Sequence, residues 1–161
     1  MNEYPIDITH YLPHREPFLM VDLITSMDPE HVETQFTLLP DNIFIDASGC
    51  FSESGLVENA AQTCSAIVGK GYSEDAEGNE QPDSNVIGFI SAIKTLKIHS
   101  LPCVGDVIRT YATLISNFVT DDYTLCTMGC KTQCGDTVLL EGEINLFIQQ
   151  QPSQPVAKSN V

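Results

Sequence analysis

Tryptophan is absent from the 161 residues, lysine and arginine together number seven against 22 Asp and Glu, and no apolar run approaches the roughly 20 residues that a membrane-spanning helix requires. Each shortage excludes something. The formal net charge of -15 argues against non-specific binding to nucleic acid or to an anionic membrane, since both reward clustered basic side chains. The opening stretch, Met-Asn-Glu-Tyr-Pro-Ile-Asp, has no basic segment followed by an apolar one, which predicts a cytoplasmic chain. Disulfide frameworks belong to small secreted chains, so the six cysteines read as reduced thiols.

With 42% hydrophobic and 18% charged residues, the chain can bury a substantial core in one domain, expected over residues 1–150. Residues 151–161 are polar, contain two prolines and read as a disordered tail. Cys126, Cys130 and Cys134 recur every fourth residue, but the flanking pattern is that of a strand. Four strand residues span about 13 Å, too far for one metal ion to reach all three sulfurs. The spacing instead places Cys126, Met128, Cys130 and Cys134 on one packed face. No metal and no cofactor is implied.

Two apolar-rich runs at 17–28 and 31–40 flank Asp28-Pro29-Glu30, a turn composition, and predict a first hairpin. Ser52 can cap a helix, with Phe51 and Leu56 placed as a hydrophobic staple around it. That helix, Glu53 to about Tyr72, carries small residues at Ala60, Ala61, Cys64, Ser65, Ala66 and Gly69 and has no polar face, so it is expected to be buried. Ser73 to Ser84 holds five acids without periodicity and reads as a solvated loop. Four strand-like runs follow at 85–100, 106–120, 123–133 and 137–149. Their apolar faces, Ile108, Ala112, Leu114 and Phe118 in one and Val138, Leu140, Ile144, Leu146 and Ile148 in another, must cover something. The apolar helix is the element left to cover, which predicts an α+β fold with an antiparallel sheet curled around one central helix.

The chemistry centres on Leu56-Val57-Glu58-Asn59-Ala60-Ala61-Gln62, where a carboxylate interrupts an apolar helix. An ionised group there is costly unless paired, and desolvation would favour a protonated carboxyl able to serve as a general acid. The alternative is that Glu58 is satisfied by Gln62 one turn on, or by a neighbouring subunit. At the helix start, around Ser54 and Gly55, backbone N–H groups lack partners inside the helix and could bind a thioester carbonyl. An ordinary capped helix end would look the same in sequence.

Three segments carry a family resemblance. Leu12-Pro13-His14-Arg15-Glu16-Pro17-Phe18-Leu19-Met20-Val21-Asp22 resembles the entry signature of the 3-hydroxyacyl-acyl-carrier-protein dehydratases, differing mainly at Glu16 and Met20. Gly55-Leu56-Val57-Glu58 with Ala60, Ala61 and Gln62 is similar to that family's helix bearing its catalytic acid, and Pro102 to Asp106 resembles its Pro-Gly-Asp turn. The resemblance implies a hot-dog fold and a homodimer whose sites pair an acid on one chain's helix with a histidine of the other. Glu58 would be the acid. The family's Gly-His-Phe-Pro histidine is missing; Ile43-Phe44-Ile45-Asp46-Ala47-Ser48-Gly49 stands there, with Phe44 at the position by ungapped counting from Glu58. This points to a divergent, histidine-lacking subgroup.

His14 is the natural substitute base, since the resemblance sets its segment beside the acyl tunnel and imidazole titrates in the right range. Asp46 is a further possible base, whereas His10, His31 and His99 have no such context. The implied substrate-binding positions are Ser54, Gly55, Gln62, Pro13, Phe44 and Phe89. The implied partner is an acyl thioester on an acyl carrier protein or CoA, for which Lys94, Lys97 and Arg109 are the candidate basic patch. Three functions follow: dehydration of 3-hydroxyacyl to 2-enoyl thioesters in fatty-acid or polyene biosynthesis, thioester hydrolysis by Glu58, or a non-catalytic subunit that completes an active partner's site.

Overall fold

The computed structural model describes residues 4–73 and 86–150. The expected acidic loop beyond Ser73 and the expected tail lie outside them. Seven strands, β1 (Ile6–Asp7), β2 (Leu23–Met27), β3 (His31–Thr37), β4 (Val86–Ile98), β5 (Val107–Val119), β6 (Thr124–Cys134) and β7 (Thr137–Gln150), form one antiparallel sheet in the order β1-β2-β3-β5-β6-β7-β4. A single long helix, α1 (Glu53–Ser73), packs against the inner face. The sheet curls around the helix without closing, which is the architecture expected from the sequence. No helix among the described residues is long and apolar enough to cross a membrane.

Local chemistry fixes the ends of these elements. Asp28 Oδ1 accepts the main-chain N–H groups of Glu30 and His31, both at 2.8 Å, and so turns β2 into β3. The Ser52 hydroxyl accepts the Gly55 N–H at 3.3 Å and caps α1, while Phe51 and Leu56 on either side of the cap are fully buried. Along β6, Cys126, Met128 and Cys130 face the core, and on β7 Leu140, Ile144, Leu146 and Ile148 do the same. Cys134 keeps that face and packs against the core, half-buried at the strand end, whereas the register shift between Thr132 and Gln133 skips Leu139 in β7 and sets Val138 opposite Gln133, off the face it was expected to share with Leu140.

Three expectations need correction. The first apolar run is strand only from Leu23; ahead of it, residues around Met20 spend their backbone groups on helix side chains rather than on a neighbouring strand. Phe118 does not share the inner face of Ile108 and Ala112: a bulge between Leu114 and Ser116 inverts the alternation, leaving Phe118 60% exposed. The helix is not enclosed all round, since Ser54, Val57, Glu58, Ser65 and Val68, which lie on one side at separations of whole helical turns, stay at least partly open. That open stripe faces the gap the unclosed sheet leaves.

Among the described residues β4 sits at the sheet edge, paired with β7 alone. Register shifts after Ile90 and Ile93 let Ile90, Ile93, Leu96 and Ile98 share the inner face despite their uneven spacing. Gly142 permits this close fit, because a Cβ there would run into the Thr95 carbonyl oxygen and lie 3.0 Å from Leu96 Cα. Gly142→Ala is therefore expected to push β4 off β7 and lower stability by about 1–3 kcal/mol. Gly129→Ala, whose Cβ would meet only the end of the Ile115 side chain at 3.4 Å, should cost far less; urea denaturation of both variants checks the contrast.

Candidate functional site

The helix stripe and the inner face of β4 enclose a groove of about 370 Å³, lined by Glu53, Ser54, Val57, Glu58, Ile93, Leu96 and Ile98. Its walls are apolar apart from the first turn of α1 and the Glu58 carboxylate. The groove is half-open, with Ile93 still 48% exposed.

Glu58 is held rather than free. Its Oε1 accepts the Gln62 side-chain N–H at 2.8 Å, and Gln62 is itself fixed by two main-chain bonds, donating to Phe18 O at 2.7 Å and accepting from Met20 N–H at 2.8 Å. An N–H donor prefers a carbonyl-like oxygen, so a proton on this carboxyl would sit on Oε2, leaving that oxygen to donate. The surroundings are not dry as expected from the helix sequence: the Glu58 side chain is 35% exposed, because the open stripe passes through it. His14 Nε2 lies 3.9 Å from Glu58 Oε1, and its Nδ1 is buried without a hydrogen-bond partner among the described residues.

His14 is placed by its neighbour. The Arg15 guanidinium donates to Leu12 O at 2.8 Å, to His14 O at 2.7 Å and to Thr9 O at 3.4 Å, tying the segment into a turn that presents the imidazole to α1. Pro13, though adjacent, is exposed. Ser54 lines the groove, and with Glu53 it provides the first helix N–H groups, which have no acceptor within a helix.

Gly55 serves a different end from the one expected. Its N–H is taken by Ser52, and the space of its missing side chain is filled: a Cβ would stand 2.6 Å from Phe51 Cζ and 2.8 Å from Phe44 Cβ. Phe44 thus packs over the first helix turn, edge-on to Phe51 at 6.2 Å between ring centroids. Phe89 is not brought to the groove. It stands opposite Phe147, on the sheet face away from Leu146 and Ile148, and stacks on that ring at 5.1 Å.

The other candidates have structural work elsewhere. Asp46 accepts from the Ser48 hydroxyl and main chain and from the Cys50 N–H, bonds that hold its carboxyl below the usual aspartate range and close a surface turn. His31 pairs with Asp28 at 3.1 Å and His99 with Glu141 at 3.1 Å. Lys94, Lys97 and Arg109 do not make a basic patch, because each faces an acid: Lys94 pairs with Glu143 at 3.4 Å, Arg109 with Glu33 at 3.7 Å, and Lys97 stands opposite Glu141 in the β4–β7 register.

Asn59, next to Glu58, was not singled out by sequence. Its Nδ2 donates to Met20 O at 2.7 Å and its Oδ1 accepts from Thr110 Oγ1 at 2.6 Å, so Thr132, 2.8 Å from Thr110, must donate in turn. The available signal was a second polar residue inside an apolar helix, which has to find partners when buried. Asn59→Ala strands the Met20 carbonyl in the core and leaves the Thr110 hydroxyl with Thr132 alone; a loss of about 1–3 kcal/mol is expected from thermal or urea unfolding, at one unsatisfied group.

Comparisons with known proteins bear on this geometry. The family described as ApeP-like, ApeP dehydratase, matches residues 6–157. No curated protein sequence matches the chain. Among solved structures, a chain of the dehydratase heterocomplex ApeI:P from Xenorhabdus doucetiae superposes with a TM-score of 0.75 at 20% identity, covering 94% of each chain. An uncharacterized protein from Pyrococcus horikoshii gives 0.62 at 13% identity over 92% of this chain and 97% of its own. A hypothetical thioesterase from Streptococcus pneumoniae, solved with coenzyme A, gives 0.53 at 13% identity over 81% and 87%. At these identities the structural matches establish the hot-dog fold.

Proposed function

We propose a function from the premise that the chain belongs to the ApeP-like dehydratase family: it takes part in dehydrating 3-hydroxyacyl thioesters to 2-enoyl thioesters, with Glu58 as the acid that protonates the departing hydroxyl. The observation that carries this reading is the Glu58 carboxyl on the wall of an apolar groove, its Oε1 held by the Gln62 N–H, which leaves Oε2 as the oxygen to carry a transferable proton. Dehydration removes a proton from the carbon next to the thioester and a hydroxide equivalent from the carbon beyond it. For the proton removal the chain offers one imidazole, that of His14, 3.9 Å from Glu58 Oε1 and close enough for both groups to flank the same two carbons. The N–H groups of Glu53 and Ser54 at the groove supply donors toward a thioester oxygen.

The groove is half of a site. β4 is an edge strand with Ile87, Phe89 and Ile93 exposed, and the open helix stripe runs beside it. A second hot-dog subunit lying along β4 would cover the groove and exclude water from Glu58. The sequence resemblance implies another copy of the chain, whereas the similar Xenorhabdus complex is built from two kinds of subunit. A cytoplasmic setting, with the acyl group carried on CoA or a carrier protein, belongs to the same reading.

Incubating the pure chain with 3-hydroxyacyl thioesters, alone and with a candidate partner subunit from the same genome, and following products by mass tests the proposal. Enoyl product that is lost by at least a hundredfold in Glu58→Gln and reduced by about tenfold or more in His14→Ala is the expected result. Undiminished turnover in Glu58→Gln would remove the assignment. Free thiol without any enoyl product would mark a thioesterase instead, and product that survives His14→Ala only in the presence of the partner would locate the base on that partner.

A further inference from the structure

Two pairs of thiols are in contact among the described residues, Cys64 with Cys130 inside the core and Cys50 with Cys103 at the surface, and only the second can be reached by a reagent in solution. Cys50 and Cys103 face each other across an isolated antiparallel bridge, with their sulfurs 3.2 Å apart and no bond between them. The bridge is defined by two flanking hydrogen bonds, Phe51 N–H to Pro102 O at 2.8 Å and Val104 N–H to Gly49 O at 2.9 Å. Because the bonds belong to the flanking residues, Cys50 and Cys103 form a non-hydrogen-bonded pair, the position where opposing Cα atoms approach to about 4.5 Å. That lies within the range a disulfide spans, roughly 4.4–6.8 Å, and a bond at this exposed position would be open to reduction.

Access and proximity together favour this pair: Cys134 is half-buried like Cys50, but no second thiol is in contact with it among the described residues. Cys103 is exposed and Cys50 half-buried, whereas Cys64, Cys126 and Cys130 are buried in the core. We propose that Cys50 and Cys103 are a redox modification site, a reversible disulfide formed by exchange with a low-molecular-weight disulfide such as oxidised glutathione. The exposed Cys103 thiolate attacks one sulfur of the oxidant, forming a mixed disulfide and expelling one glutathione thiolate. The Cys50 thiolate then attacks Cys103 Sγ, closing the internal bond and expelling the second. The two protons lost by the protein thiols pass to the two glutathiones, and the two electrons go to the oxidant.

The position of the bond gives it a consequence. Cys50 lies two residues before the Ser52 cap of α1, and Cys103 lies in the turn that follows β4 and Ile98. Oxidation would staple together the lead-in of one groove wall and the exit of the other. This link depends on the fold and not on the catalytic reading.

The test uses the full chain equilibrated with oxidised glutathione, quenched with iodoacetamide, and read by intact mass and peptide mapping. Loss of two hydrogens, a single peptide cross-link between Cys50 and Cys103, and a fall from six free thiols to four are expected, all reversed by dithiothreitol. The oxidised chain should melt about 5–10 °C higher. Cys50→Ser should accumulate glutathione on Cys103, and Cys126→Ser should cross-link like the parent chain. Six thiols remaining free, or glutathione resting on Cys103 of the parent chain with no internal cross-link, would overturn the proposal.

Discussion

Both main-chain polar groups of Met20 are bonded by side chains of the central helix: its N–H by Gln62 and its carbonyl by Asn59. Much of the rest hangs on that clamp. It takes the residues before β2 out of the sheet, lays them across α1 and fills the buried interior with amides whose oxygens and nitrogens each have a partner. An unmet group there would cost about 1–3 kcal/mol, so the register between the N-terminal segment and the helix is fixed to the residue. The same Gln62 that grips Met20 and Phe18 also reaches Glu58, so a fold-forming contact and the orientation of the candidate acid are one arrangement. From Asn59 the chain of bonds continues through Thr110 to Thr132, and Thr34 meets Thr63 nearby, so the helix is pinned to β3, β5 and β6 by polar contacts within an apolar layer.

The unclosed sheet is the second constraint. Seven strands wrap the helix on the sides that bury Leu56, Ala60, Thr63, Cys64 and Ile67, and stop short of the stripe through Ser54, Val57 and Glu58. A closed barrel would have hidden the carboxyl and left no cavity; a flatter sheet would have left it on an open surface. The edge position of β4 sets the groove between these limits, and Gly142 sets the edge strand itself by letting its backbone come close.

Element positions were legible in the sequence because period and punctuation agreed. The alternation of Ile144, Leu146 and Ile148 against Glu143 and Asn145 could only be a strand, and Ser52 followed by an apolar run could only open a helix. The failures share a cause: side-chain alternation predicts a face only while the ladder is regular. The bulge after Leu114 turned Phe118 outward, and the parity of β4 put Phe89 on the far side of the sheet, where an aromatic partner on β7 stacks with it. The fate of Gly55 was illegible for another reason. A glycine at a helix start is equally consistent with a close-approaching ligand and a close-packed ring, and the choice fell to Phe51 and Phe44, which come from outside the helix. At the site, Glu58, Gln62 and His14 could be named from residue type and family pattern, but Arg15 and Asn59 act through backbone carbonyls, and nothing in a sequence marks which carbonyl a side chain will find.

Phe44 brings these strands together. At the position that ungapped counting from Glu58 matches to the family histidine, it presses its Cβ against Gly55 and sets its ring edge-on to Phe51, so the position is part of the packing that supports the helix cap. A histidine there would keep the Cβ contact with Gly55 and exchange the edge-on contact with Phe51 for that of a smaller, polar ring, so the position is coupled to Phe51 through the ring alone. The imidazole beside Glu58 comes instead from His14, held by Arg15 on a segment that the cap does not constrain and that is anchored through Met20 to the helix bearing the carboxyl.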